Sequence, residues 1–317
     1  MSYFTVHRED VYKDYKASPL SAAAIFQLVL FAITIGAPIA LVAVNPDIWP
    51  MYTTVYEQPF VRYQQMVIVH LDLAGGSSLA WSTIPQYNRL MGRTLRSSRL
   101  KTKEIDINGD KIPDAFSITL DVPLTAQEQV FGFTFLVFFD FILQKRTFFE
   151  MSTVVSLQHS AASAGADYFA DGTLRFVQKD SLRPGFSDYI NKDPLVNISS
   201  ADISDYNVAS IVRRVATRNA STVLDVSMPI WTTTPVPTQP FHIEANIHFP
   251  VQSIWMQTTV LHRLTTAGAA FTFWLLPFWL FCWYLRRMVF SSGALFLVQD
   301  SSKYSMKSYF TANSGKE

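Results

Sequence analysis

Cysteine is almost missing from this 317-residue chain. The single one, Cys282, has no partner for a disulfide. That excludes the disulfide-stapled ectodomains of many receptors and channels. Cys282 lies inside an apolar run and reads as a small apolar filler, with palmitoylation as the alternative. Charge of one sign is missing too. Lys plus Arg number 26 and Asp plus Glu 25, a net +1, so no strong electrostatic pull on nucleic acid or acidic partners is implied. There is no Gly-rich phosphate loop, no Gly-x-Ser-x-Gly elbow and no His-Glu-x-x-His. The histidines form no ligand or catalytic set. His242 and His248 stand six residues apart on one strand face, about 20 Å by strand rise, and His70, His159 and His262 have no neighbour at ligand spacing. No enzyme is expected.

Charge is also missing from two long stretches, Leu20–Val44 and Leu264–Leu285. A helix rises about 1.5 Å per residue, so each stretch is long enough for a hydrocarbon core of about 30 Å. Two crossings put both chain ends on one side and Asn45–Arg263 on the other. Arg8, Lys13 and Lys16 precede the first run, and Arg286, Arg287, Lys303, Lys307 and Lys316 follow the second. Basic flanks stay cytosolic. The expected order is a cytosolic tail (Met1–Pro19), a span (20–44), an extracytosolic domain (45–263), a second span (264–285) and a cytosolic tail (Arg286–Glu317). Trp283 and Tyr284 suit one headgroup layer, Trp49 and Trp255 the other. Neither span carries an acid or a base, so neither advertises an ion path. Pro38 and Pro277 are candidate bends, and Gly36 and Gly268 candidate sites for a close neighbouring helix.

The middle block reads as mainly β. Val61–Leu73, Ala115–Val122, Val130–Leu143, Phe149–Leu157, Thr173–Gln178 and Phe241–Val251 are rich in β-branched and aromatic residues. Val130–Leu143 is apolar and aromatic but short for a span, and it contains Asp140, so it is expected to be a buried strand. Phe241–Val251 alternates with period two, which marks a half-buried strand. Asp171-Gly172 predicts a tight hairpin, Asp202–Thr217 has helical character, and Thr232–Pro240 reads as a Pro/Thr loop. The expected fold is a membrane protein with two transmembrane helices flanking an antiparallel, β-sandwich-like domain.

Two local patterns carry chemistry. Asp106-Ile-Asn108-Gly-Asp110-Lys-Ile112-Pro-Asp114 places oxygen side chains at its first, third, fifth and ninth positions, with a backbone carbonyl near Ile112 as a further donor. Calcium takes six to eight oxygens, and short Asp-rich loops supply them. Lys111 stands where glycine is usual, and Ser117 stands where an EF-hand has its glutamate. The other reading is a plain Asn-Gly turn with its acids in water. Asn197-Ile-Ser199 and Asn219-Ala-Ser221 are glycosylation sequons, both between the spans.

Tyr56-Glu-Gln-Pro-Phe-Val-Arg-Tyr-Gln64, Leu79-Ala-Trp-Ser-Thr-Ile-Pro-Gln-Tyr-Asn-Arg-Leu90, the Asp106–Asp114 loop, Asp171-Gly-Thr-Leu-Arg175 and Pro229-Ile-Trp231 together resemble the transmembrane protein 231 family. The resemblance covers nearly the whole chain, departing at Lys111 and in the tails. It implies a two-span protein of the ciliary transition zone, within the Meckel syndrome (MKS) module. Members of that module gate the exchange of membrane proteins at the base of the cilium and support cilium assembly. Expected partners are tectonic-type ectodomains and other membrane proteins of the module, cytosolic B9-domain proteins, and membrane lipid. Trp81 and Trp231 are expected as core or interface anchors, and Arg62 and Arg89 as partners of acids across strands. The rivals are a two-span channel subunit, a glycosylated accessory subunit of a membrane pump, and a glycan- or lipid-binding sandwich.

Overall fold

A computed structural model describes residues 14–16, 18, 21–189, 191–233, 240–294 and 298–300. The tails and the centre of the Thr232–Pro240 loop lie largely outside them. In chain order the elements are β1 (Asp14–Lys16), α1 (Ala22–Val44), β2 (Tyr52–Glu57), β3 (Phe60–Leu73), β4 (Ser78–Ser82), α2 (Pro85–Met91), β5 (Arg99–Ile105) and β6 (Ala115–Val122). There follow β7 (Val130–Leu143), β8 (Phe148–Gln178), β9 (Ser187–Asp188), α3 (Val208–Ala216), β10 (Ala220–Thr233), β11 (Phe241–His248), β12 (Gln252–Gln257), α4 (Val260–Ser291) and β13 (Val298–Asp300). They form two compact units, Met1–Pro50 with Thr259–Glu317, and Met51–Thr258.

The first unit is a pair of apolar helices. Ser21 caps α1, its Oγ accepting from Ala24 N at 3.3 Å, and Thr259 caps α4 through His262 N at 3.3 Å. The start of α1 meets the end of α4, where the Phe26 and Phe290 rings lie 6.2 Å apart, so the helices run antiparallel. β1 pairs antiparallel with β13, which joins the two outer flanks at the same end. Only 17% of the most apolar window of α1 and 6% of that of α4 is buried. A soluble core helix would be mostly covered, so these faces need an apolar solvent. Cys282 is among the few buried positions. A Cβ on Gly36 or Gly268 would meet nothing within 4 Å, so these glycines do not mark the contact between the two helices.

The second unit is built around a nine-stranded sheet of order β4-β3-β7-β8-β11-β6-β5, with β9 and β10 also on β8. Most pairings are antiparallel, but β8 runs parallel to β11 and to β9. The long strand β8 organises this unit. Its first part pairs with β7, its last with β10 and β11. Between them the register on β7 jumps from Ser160 to Gly165 within a run of small residues, Ser160-Ala-Ala-Ser-Ala-Gly165. The strand bends there, and the two halves of the sheet turn their apolar faces to one core. Tyr63 of β3 meets Phe116 of β6 across that core at 5.0 Å, and Phe116 meets Phe139 of β7 at 5.1 Å. A parallel bridge ties Ala80 of β4 to Leu95, in the connection that leads to β5, and the body is sandwich-like.

β7 is buried on both faces. Phe133, Phe135, Val137, Phe139, Phe141 and Leu143 enter the main core. Leu136 and Phe138 face a second cluster with Tyr87 of α2, Ile211 of α3, Leu195 and Tyr206. Two-sided burial explains a strand without alternation. β11 alternates as expected, with Phe241, Ile243, Ala245 and Ile247 inward. The Asp202–Thr217 segment is helical, as a 3₁₀ turn over Ile203–Tyr206 followed by α3.

The Asp171-Gly172 hairpin is not there. Both residues lie inside β8, with Asp171 paired to Met228 on one side and Asn246 on the other. Gly172 serves close approach instead. A Cβ there would sit 3.0 Å from the Asp225 carbonyl oxygen and 3.1 Å from Leu224, opposite a bulge in β10 between Val226 and Met228.

Candidate functional site

The Asp106–Asp114 connection joins β5 to β6, two antiparallel neighbours. Its polar side chains close the turn on itself. The two Asp106 oxygens accept from Gly109 N at 2.7 Å and Lys111 N at 2.9 Å. Asn108 Oδ1 accepts from Asp110 N at 2.8 Å, and Asp110 Oδ1 from Ile112 N at 2.8 Å. Asp114 Oδ2 accepts from Ile107 N, and its Oδ1 from Gln58 Nε2, both at 2.8 Å. Those bonds from Gln58 and Ile107 hold the Asp114 carboxyl below its ordinary value. Gly109 and Lys111 adopt φ of 76° and 70°, so Lys111 carries the left-handed conformation that glycine would adopt at less cost. Asp106, Asn108 and Asp110 are exposed, and Ile112 and Asp114 half-buried. The structure thus gathers all five residues into one turn. Among the described residues, no three of His, Cys, Asp and Glu are grouped as a metal would require.

Both sequon asparagines are exposed. Asn197 lies in a loop, its Oδ1 accepting from Ser199 N at 3.1 Å. The Tyr206 hydroxyl fixes that loop, within 3.1–3.2 Å of the Asn197, Ile198 and Ser200 carbonyl oxygens. Asn219 lies between α3 and β10, its carbonyl oxygen accepting from Lys179 N at 2.8 Å.

Four histidines make contacts within the β body. His242 bonds Asp121 across the β11–β6 pair at 2.6 Å, and His248 bonds Asp171 of β8 at 2.9 Å. His159 lies against Trp231 at 4.8 Å. His70 Nε2 lies 2.6 Å from the Tyr87 hydroxyl in a half-buried setting. Burial lowers the His70 pKa below 6.5, outweighing Asp72, which raises it. The folded state therefore resists protonation at His70. Its contribution to stability is complete above pH 6.5 and declines as pH falls toward the folded-state value. The thermal midpoint is expected to drop between pH 7 and 5, and His70→Gln to flatten that slope. Circular dichroism melts across this range check it.

Trp81 and Trp231 are half-buried against the main core. Arg62 pairs with Asp140 across β3 and β7 at 2.6 Å, but with its side chain 58% exposed the pair contributes little. Arg89 lies on α2 rather than on a strand.

Sequence reasoning missed one feature. A cleft of about 440 Å³ opens between β3 and β5, lined by Tyr63, Gln65, Thr83, Leu100, Thr102, Glu104 and Phe116. The Tyr63 pKa is pushed up to about 12 by burial, and among the described residues its hydroxyl has no hydrogen-bond partner. Gln65, with φ of 59°, lies in the stretch where the β3–β7 register breaks between Tyr63 and Val67. Nothing in the residue order signals that break.

The sequence profile of the transmembrane protein 231 family matches residues 1–297. Transmembrane protein 231 of Rattus norvegicus is 33% identical over 285 residues, covering 89% of this chain and 90% of that protein. The Homo sapiens protein is 32% identical with the same coverage, and that of Xenopus tropicalis 29% identical over 80% of this chain and 82% of its own. Among solved structures, a cryo-EM structure of a proton-activated chloride channel aligns over 84% of this chain and 97% of that one. Its TM-score of 0.25 and 8% identity carry no argument about fold. With the family profile spanning both apolar helices and the whole β body, this chain is a transmembrane protein belonging to the transmembrane protein 231 family.

Proposed function

We propose that this chain is a non-enzymatic structural component of the ciliary transition zone membrane, acting within the MKS module in the barrier that gates ciliary membrane proteins and in cilium assembly. The observation that carries this reading is the family match across residues 1–297. Two candidate spans flanking a β body are compatible with it. Two anchors hold a stiff β body, and such a part builds a fence through lateral contacts without any reaction. In this reading both termini are cytosolic. The β body contacts tectonic-type ectodomains and other membrane proteins of the module, and the tails meet B9-domain proteins. In ciliated cells lacking the gene, ciliary membrane proteins are expected to leak into the plasma membrane, and a tagged copy to concentrate at the ciliary base. Normal retention without the protein would overturn the reading.

Calcium at Asp106, Asn108, Asp110 and Asp114, with the Ile112 carbonyl, and sugar on Asn197 and Asn219 belong to the same proposal. For calcium, the support is the donor chemistry. Each carboxylate oxygen has two lone pairs, so accepting a main-chain N–H leaves one for a cation. Weak extracellular modules bind calcium at about 10⁻⁴–10⁻³ M. Isothermal titration of the purified chain is expected to show heat in that range that Asp106→Ala removes, and its absence at millimolar calcium would end the assignment.

A further inference from the structure

β2 and β12 form a two-stranded antiparallel ribbon apart from the main sheet. Residues directly opposite share a face. One face carries Thr53, Val55, Glu57, Gln252, Ile254 and Met256, and there Ile254 and Met256 are fully buried in the main core. The other carries Tyr52, Thr54, Tyr56, Ser253, Trp255 and Gln257. Tyr52 is 61% exposed, Tyr56 67% and Trp255 59%. No charged residue stands on this face. The ribbon is held firmly in the body, since Leu182 N donates to the Trp255 carbonyl oxygen at 3.0 Å and Gln257 N to the Leu182 carbonyl oxygen at 2.8 Å.

The chain path says what lies near this face. Only Thr258 and Thr259 separate β12 from α4. Two residues reach at most about 7 Å, and the uncharged run begins at Leu264, about 6 Å of helix rise beyond Val260. On the other strand, Trp49 lies three residues before Tyr52, and its Nε1 donates to the Val42 carbonyl oxygen in the last turn of α1 at 2.9 Å. Both strands are therefore joined to membrane-length helices by short connections, and an indole already marks the end of one. Tyrosine and tryptophan are enriched where hydrocarbon gives way to headgroups, because ring and polar tip suit the two sides.

We propose that the outward face of this ribbon lies in the headgroup layer of the bilayer. Tyr52, Tyr56 and Trp255 insert their rings, while Thr54, Ser253 and Gln257 meet phosphate and ester oxygens. The ribbon is then a third point of attachment beside the two helices, and it limits how far the β body tilts. A charge-free face does not select anionic lipid. Its attachment survives 1 M salt, where the Debye length is about 3 Å.

Cys282 is the only cysteine, so Cys282→Ser gives a clean background for a nitroxide at Ser253→Cys or, separately, Thr54→Cys. The full chain goes into phosphatidylcholine nanodiscs at one copy per disc, which removes cover by a second copy. A water-soluble nickel chelate is expected to reach either label several-fold less than a label at Lys101→Cys, which is exposed on β5. Adding anionic lipid or 1 M salt is expected to change nothing. Adding Tyr52→Ser, Tyr56→Ser and Trp255→Ser is expected to open position 253. Labels at 253 and 54 as accessible as at 101 would overturn the proposal. Protection that persists in the triple serine variant would also overturn it, since the protein and not lipid would then be the cover.

Discussion

Gly165→Ala is expected to destabilise the β body severely for a one-carbon change. The bend in β8 brings the indole of Trp231 over Gly165, and a Cβ there would clash with Trp231 Cζ2 and Cε2. The ring has little room to retreat. It stacks on Phe133 at 6.3 Å, lies 5.6 Å from Phe241 and 4.8 Å from His159, and its Nε1 donates to the Ser163 carbonyl oxygen at 3.3 Å. Overpacking costs about 1–3 kcal/mol and occasionally more, and this contact belongs at the upper end. For a domain of this size about 3 kcal/mol lowers the thermal midpoint by about 6–12 °C. Near-UV circular dichroism of the chain in detergent reads that shift. Trp231→Leu in the same chain is expected to return part of the loss, and coupling in that double-mutant cycle isolates the contact. Gly268→Ala, with open space around it, is expected to leave the midpoint unchanged or slightly raised.

Phe138→Ala and Phe139→Ala are expected to cost about 3–5 kcal/mol each, as large aromatic truncations in a full core do. Neighbours on β7, they point to opposite sides. Phe139 meets Phe116 and Phe249 in the main core, while Phe138 faces the cluster with Tyr87 and Tyr206. The losses are equal in size but differ in kind. Phe139→Ala weakens the joint between the two halves of the sheet. Phe138→Ala loosens the layer of α2, α3 and the loop that carries Asn197. Limited proteolysis separates them, with early cuts near residues 195–206 expected for Phe138→Ala alone.

β7 also shows what the residue order conveys. A run of aromatics too short for a span reads correctly as a strand, because length and Asp140 decide against the membrane. The alternation of β11 and the two long uncharged runs are equally plain, since each is a pattern within one element. Asp171-Gly172 misleads because a glycine that admits a neighbouring backbone is spelled like one that turns a hairpin. Only the bulge in β10, some 55 residues on, tells them apart. The parallel β8–β11 pair is invisible for the same reason, as pairing partners lie far away in the chain. For the Asp106–Asp114 loop, spacing conveys that the oxygens share one turn. Where they aim depends on the left-handed Lys111 and on Gln58 from the distant connection between β2 and β3. Of the outward aromatics of the ribbon, Trp255 was visible singly, but Tyr52 and Tyr56 join it only once β2 and β12 pair.

Protease protection in sealed microsomes tests the central arrangement most directly. With a tag at each end of the chain, added protease is expected to remove both tags and leave a protected fragment holding the helices and the β body. One tag digested and the other protected would contradict two crossings, and with them the tethering of the body at both its ends.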